Sequence, residues 1–114
     1  MHAQKAEEAE LNSLFSGSYS FSLNKKSLEV EFLKDGEAYL SDAFLYSVID
    51  WEKVQYDEED HSVVIPCLAE QRPCIDRKIY KTKTRQPFPK TEWKVGSKDE
   101  ADKVIGILQI LAPE

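Results

Sequence analysis

The sequence predicts a mainly β domain of about seven antiparallel strands, closed by an amphipathic helix at the C-terminus. Apolar and polar residues alternate in several short segments after residue 18, and this period of two is typical of half-buried strands. Beyond Ser97 the apolar residues recur instead at helical spacing. A chain of 114 residues is the size of one domain. We therefore expect a helical or flexible segment at residues 1–18 and a single β domain at residues 19–112.

The N-terminal part of the chain begins with a short predicted helix and continues with a predicted hairpin. Residues Gln4 to Phe15 are rich in Ala, Glu, Lys and Leu, which favour helix, and Ser16-Gly17 ends the segment. Two alternating strands joined by a polar turn follow. Their apolar positions are Tyr19, Phe21, Leu23, Leu28, Val30 and Phe32.

The middle of the chain combines turn signals with β-forming residues. Asp35-Gly36 is a strong turn dipeptide, and a short strand is predicted at Glu37 to Ser41. Residues Phe44 to Tyr56 predict one long strand or two short ones, because they are rich in β-branched and aromatic side chains. The acidic run Asp57 to Asp60 predicts a solvated turn, since it lacks the glycine and the terminal glutamate of a calcium-binding loop.

Two predicted strands, Ser62 to Cys67 and Cys74 to Lys83, flank a six-residue segment that predicts a hairpin loop. A disulfide between the two cysteines would contribute about 2–2.5 kcal/mol by closing this loop. Free thiols are the alternative, because direct pairing of the cysteines places the apolar Ile65 opposite the charged Asp76. The two histidines and this cysteine spacing do not match a structural zinc site, so we predict neither a metal site nor a cofactor.

The C-terminal part of the chain predicts a loop, a strand and a helix. Residues Arg85 to Lys90 predict an extended loop, because their two prolines lack the N–H that a sheet interior requires. A last strand is predicted at Thr91 to Val95. Ser97 and Glu100 have the spacing of a capping box, which predicts a helix from about Lys98 to Leu111.

This order of elements resembles the pleckstrin-homology-like barrel and, more narrowly, small exported bacterial proteins of that fold. The resemblance covers residues 19–111 and implies two nearly orthogonal sheets, with the C-terminal helix closing the open end. Lipid-binding members of this fold place basic residues in the first loop and on the second strand. Here the loop has Lys25 and Lys26, but Glu29 and Glu31 on the strand would repel a phosphorylated headgroup. We therefore do not expect phosphoinositide binding.

Charge is distributed unevenly along the chain. The net charge of −6 argues against a general nucleic-acid-binding protein, which carries a basic excess. Residues 29–60 include eleven acidic and two basic residues, whereas residues 71–94 include eight basic and two acidic residues. Cations interleaved with aromatic rings in the second segment predict a binding surface for an acidic partner. The candidate residues are Lys81, Lys83, Arg85, Phe88 and Trp93.

The sequence does not predict an enzyme. His61 is the one credible general base, and no nucleophile or orienting group accompanies it at a recognisable spacing. We therefore predict a non-enzymatic binding or interaction module for a protein or an acidic partner. A homodimer that pairs uncovered strand edges is the alternative, and a small hydrolase ranks behind both. For the basic segment itself, the alternative is that Tyr80 and Trp93 lie in the core and the lysines are merely solvated.

The N-terminus and the cysteines bear on location. Residues Met1 to Gln4 resemble the trimmed end of a signal peptide, because signal peptidases cut after small residues such as Ala3. A cysteine pair suits an oxidising compartment. We expect a periplasmic or secreted protein, and an ordinary cytosolic start is the alternative. No apolar run approaches the roughly 20 residues that span a bilayer, so no transmembrane segment is predicted.

Overall fold

The computed structural model describes residues 2–113, with side chains described from residue 5 onward. These residues form two helices, eight strands and three short 3-10 turns. The predicted N-terminal helix is confirmed, whereas Met1, the first residue of the segment on which export was predicted, lies outside the described residues. The elements in chain order are α1 (His2–Leu14), β1 (Tyr19–Leu23), β2 (Ser27–Lys34), β3 (Glu37–Leu45), β4 (Gln55–Asp57), β5 (Ser62–Pro66), β6 (Ile75–Ile79), β7 (Thr84–Phe88), β8 (Lys90–Lys94) and α2 (Lys98–Leu111).

The strands form two antiparallel sheets. One has five strands in the order β1-β2-β3-β6-β7, and the other has three in the order β4-β5-β8. The mainly β class and the two sheets are therefore as predicted. The predicted closure into a barrel is wrong, because the sheets do not join into one closed ring of strands.

Helix α1 covers the β1 edge of the five-stranded sheet. The backbone N–H of Phe21 donates to Oδ1 of Asn12 at 2.7 Å, and the Asn12 amide donates back to the Phe21 carbonyl at 3.2 Å. The N–H of Leu23 donates to Oε2 of Glu8 at 2.7 Å. Side chains of α1 therefore occupy the backbone groups that a further strand would need, which is one way in which proteins protect a sheet edge.

Two predicted elements in the middle of the chain are wrong, because the chain crosses between the sheets there. After Leu45 the backbone leaves β3 in two 3-10 turns, Tyr46–Val48 and Trp51–Lys53, so the predicted strand does not continue through residues 46–53. The segment between Cys67 and Cys74 is not a hairpin loop, since β5 and β6 belong to different sheets. The disulfide itself is present, with an S–S distance of 2.02 Å, and it closes this crossover.

The loop predicted at residues 85–90 is wrong for most of its length. Residues 84–88 form strand β7, which pairs with β6 so that Pro87 lies opposite Asp76. This strand is the outer edge of the five-stranded sheet, and an edge accommodates proline because one side of the strand has no ladder partner. The backbone then passes through Pro89 into β8 of the other sheet.

The core lies between the inner faces of the two sheets and is closed by α2. Ser97 caps this helix, because its Oγ accepts a hydrogen bond from the backbone N–H of Glu100 at 3.2 Å. The Glu100 carboxylate in turn accepts from the N–H of Gly96 at 3.0 Å. The predicted helix from Lys98 to Leu111 is therefore confirmed at both ends. Its buried side chains are Ala101, Val104, Ile107, Leu108 and Leu111.

Candidate ligand-binding surface

Strands β6 and β7 and the turn between them place a cluster of cations on the outer face of the five-stranded sheet. We call residues 75–88 the basic hairpin. Lys78 on β6 lies opposite Arg85 on β7, and side chains of a strand alternate between its two faces. Lys78 and Arg85 therefore share the outer face, whereas Arg77, one position away, faces the core.

A shallow concavity of about 390 Å³ lies on this outer face and is lined by Lys78, Tyr80, Lys83 and Arg85. The Tyr80 hydroxyl donates to Oε2 of Glu31 at 2.8 Å, which holds the ring against the sheet. The ammonium of Lys78 lies 5.4 Å from the centroid of that ring. Partial burial, with the Glu31 carboxylate nearby, raises the pKa of Tyr80 and so favours the neutral hydroxyl that donates to Glu31.

The cations of this surface are largely without acidic partners. Arg85 forms one ion pair, with Asp76 at 3.1 Å. The Arg85 side chain is 68% exposed and the Asp76 side chain 50%. Among the side chains described, no carboxylate lies within 4.0 Å of the ammonium groups of Lys78, Lys81 or Lys83. The outer face of the hairpin therefore presents net positive charge in a protein that is acidic as a whole.

The inner face of the hairpin is fixed by a buried ion pair. The Arg77 guanidinium donates to both carboxylate oxygens of Asp42 on β3, at 2.7 and 2.8 Å, and the Asp42 side chain is fully buried. The hydrogen bond to Asp42 raises the pKa of Arg77. Asp42 also accepts from the Thr91 hydroxyl at 2.6 Å, and Thr91 accepts from the Trp93 indole N–H at 3.2 Å. This network ties the hairpin to β8 of the other sheet.

The structure separates the predicted site residues into three groups. Lys81, Lys83 and Arg85 are exposed on the basic hairpin, as a binding role requires. Phe88 is half-buried, and the Arg77 guanidinium lies over its ring at 4.1 Å from the centroid. Trp93 has no exposed surface, so its prediction as a binding residue is corrected: it packs edge-to-face on Phe21 in the core.

The candidate residues named from the sequence omit two that line the concavity, Lys78 and Tyr80. Both belong to the predicted segment of interleaved cations and aromatic rings, and their alternation with Arg77 and Ile79 already places them on one face. The pairing of β6 with β3 could not be inferred from the sequence. This pairing brings Tyr80 within reach of Glu31. The hydrogen bond to Glu31 holds the Tyr80 ring beside Lys78, so the two side chains together form one wall of the concavity.

The residues considered for catalysis do not line this concavity. His61 is exposed at the end of the acidic turn, with Nδ1 3.2 Å from the Tyr56 hydroxyl. Cys67 and Cys74 are joined to each other, so neither sulfur is a thiol in this structure. No helix in residues 2–113 has both the length and the apolar character needed to cross a membrane.

Comparisons with known proteins give no family for this chain. No protein-family model matches it. No curated protein matches it, and neither does a solved structure. The function must therefore be inferred from the chemistry of the surface itself.

Proposed function

We propose that this protein is a non-enzymatic binding module that recognises an acidic segment of a partner protein through its basic hairpin. The observation that supports the proposal most directly is the concavity lined by Lys78, Tyr80, Lys83 and Arg85, whose lysines have no carboxylate partner among the side chains of residues 5–113. Lys81 lies in the same turn and adds a further exposed ammonium group. These groups donate hydrogen bonds and supply positive charge, which is the complement of aspartate and glutamate side chains.

The geometry favours a carboxylate ligand because Arg85 already binds one. Its guanidinium contacts Asp76, and the high exposure of both groups makes this an ion pair of small net stability. An incoming carboxylate can therefore replace Asp76 at little cost and gain a second contact with a lysine. Because the surface is open to solvent, we expect binding that is fast, modest in affinity and weakened by salt.

The rigid core beneath the hairpin supports the same proposal. The Asp42–Arg77 pair anchors β6 from the inside, so Lys78 projects from a strand whose position is fixed, and Arg85 projects from the strand paired with it. Groups held on a rigid strand lose less conformational entropy when a ligand binds.

We further propose that the fold is related to the pleckstrin-homology-like fold and that the protein is exported. Two antiparallel sheets with a closing C-terminal helix support the first proposal. The Cys67–Cys74 disulfide supports the second, because such bonds persist mainly in oxidising compartments.

The experiment is a binding titration with a fluorescent peptide of alternating Glu and Gly, monitored by anisotropy. The binding variant is Lys81→Glu, Lys83→Glu and Arg85→Glu together. The control variant is Lys25→Glu, Lys26→Glu and Lys103→Glu, which makes the same change in net charge at three exposed lysines elsewhere. We expect the binding variant to lose at least about tenfold in affinity and the control to change by less than about threefold.

Equal losses in the two variants would show that the peptide responds to net charge alone and would refute the site. Light scattering of the free protein tests the alternative in which the partner is a second copy of this chain. A dimer mass that the binding variant abolishes would assign the surface to self-association instead. A monomer mass with peptide binding retained at this surface supports the proposal.

A further inference from the structure

Three carboxylates converge on the outer face of the three-stranded sheet, away from the basic hairpin. Asp57, Asp60 and Glu92 each place an oxygen within 4.8 Å of the other two. Asp57 ends β4, Asp60 lies in the following turn, and Glu92 is on β8. The cluster therefore combines one hairpin with a strand that is distant in sequence.

The strand pairing shows where the cluster lies. Strand β5 runs between β4 and β8, with Ser62 opposite both Asp57 and Lys94, and Val64 opposite Glu92. Residues opposite each other share a face of a sheet, so Asp57 and Glu92 project on the same side as Ser62. Because their strands flank β5, the two carboxylates meet above β5, over the stretch that begins with Ser62.

Ser62 supplies the second, independent observation. Its side chain has no exposed surface, although it lies on the outer face of the sheet, and its Oγ has no hydrogen-bond partner within the described part of the chain. A buried hydroxyl without a partner is unfavourable, since it has lost its hydrogen bonds to water. The strand register places this hydroxyl on the same face as the Asp57 and Glu92 carboxylates, directly opposite Asp57.

The ammonium groups near the cluster do not fully balance its three carboxylates. Oδ1 of Asp57 accepts the backbone N–H groups of Glu59, at 3.0 Å, and Asp60, at 3.4 Å, which fixes that carboxylate. Among the described side chains, the one ammonium group within 4.0 Å of these three carboxylates belongs to Lys90, which contacts Glu92 at 3.4 Å. The Lys94 ammonium binds the backbone carbonyl of Asp60 instead, at 2.9 Å.

We propose that Asp57, Asp60, Glu92 and the Ser62 hydroxyl form a binding site for a divalent cation, and that the cation is Ca²⁺. All four groups are oxygen ligands, which Ca²⁺ takes in flexible geometry with water completing the shell. Mg²⁺ demands a near-ideal octahedron, which a turn residue and two strand residues do not provide as readily. The turn lacks the residues of a contiguous calcium loop because one ligand comes from β8.

The test is calorimetric titration of the protein with CaCl₂, and separately with MgCl₂, at constant ionic strength. An open site with three carboxylates should bind Ca²⁺ with a dissociation constant of about 0.1–1 mM, in the range of extracellular calcium modules. The site variants are Glu92→Gln and Asp57→Asn. The matched control is Glu58→Gln, which removes the same charge from an exposed residue of the same turn outside the cluster.

We expect the site variants to weaken Ca²⁺ binding at least about tenfold and the control to change it by less than about twofold. Ser62→Ala distinguishes a ligand from a packing residue: loss of Ca²⁺ affinity with an unchanged circular dichroism spectrum supports coordination by the hydroxyl. Absence of saturable heat with Ca²⁺, or equal losses in Glu92→Gln and Glu58→Gln, would overturn the proposal in favour of diffuse counterion screening. Tighter binding of Mg²⁺ than of Ca²⁺ would overturn the assignment of the cation.

Discussion

Two arginine–aspartate pairs involve neighbouring residues of β6 and lie on opposite sides of the sheet. Arg77 faces the core and binds Asp42, whose side chain is fully buried, whereas Asp76 faces solvent and binds Arg85. The two pairs have the same chemistry and similar distances, 2.7 and 3.1 Å. Their roles differ because the dielectric environment differs: a buried charge depends on its partner, and an exposed one does not.

The inner pair holds the architecture together, and the outer pair leaves its arginine available. Asp42 also accepts from Thr91 of the other sheet, so its removal leaves several donors unsatisfied at once. The outer pair exchanges readily with water or with another carboxylate. Stability should therefore depend on the inner face of β6 and ligand binding on its outer face.

The largest effect is expected for Asp42→Asn, which keeps the shape of the side chain but removes its charge. The mutation leaves the Arg77 guanidinium half-buried without a counterion, so unfolding free energy should fall by about 3–5 kcal/mol. Urea denaturation followed by tryptophan fluorescence measures the change. A loss below about 1 kcal/mol would show that the buried pair is not needed for the fold.

A second prediction compares the two sides of helix α2. Leu108 is fully buried and Ile110 is 61% exposed. Leu108→Ala should lower the free energy of unfolding by about 2–5 kcal/mol because it leaves a cavity in the core. Ile110→Ala is the matched control and should change it by less than about 0.5 kcal/mol. Equal effects in the same denaturation assay would mean that α2 docks through a different face.

The third prediction concerns the crossover between the sheets. Replacing Cys67 and Cys74 together by Ala should cost about 2–2.5 kcal/mol, since the bridge closes a short loop in the unfolded chain. Denaturant titrations of the two proteins give the difference. Thiol titration of the denatured, unreduced protein should detect no free thiol, and two reactive thiols would contradict the bridge.

The parts of the fold that follow local patterns could be predicted from the sequence. The hairpin of β1 and β2, the Asp35-Gly36 turn and helix α2 all follow alternation, turn chemistry or capping, which depend on neighbouring residues. Both residues of that turn have positive φ, 54° and 82°, as a tight hairpin connection requires.

The remaining errors have more than one physical origin, and the partition of strands between two sheets accounts for the largest of them. Residues 46–53 have strong β propensity but form 3-10 turns, because the chain changes sheets there. Trp93 looked like a binding residue because cations flank it, yet alternation turns its ring inward and theirs outward. Glu92 lies near Asp57 because β8 and β4 both pair with β5. Such pairing between distant segments cannot be predicted from neighbouring residues.

The smallest effect on stability is expected for Asp76→Asn, which removes the acidic partner of the exposed pair. The Asp76–Arg85 pair is exposed, so its loss should change the free energy of unfolding by about 0–1 kcal/mol, in contrast to Asp42→Asn. Ligand binding should respond in the opposite sense. Without Asp76, the Arg85 guanidinium has no competing carboxylate, and we expect the acidic peptide to bind about twofold to fivefold more tightly at low salt. Anisotropy titrations of the two proteins at low and high ionic strength measure this gain, which salt should diminish. Weaker peptide binding after this substitution would mean that Asp76 orients Arg85 for the ligand, so the outer pair would be part of the site and not its competitor.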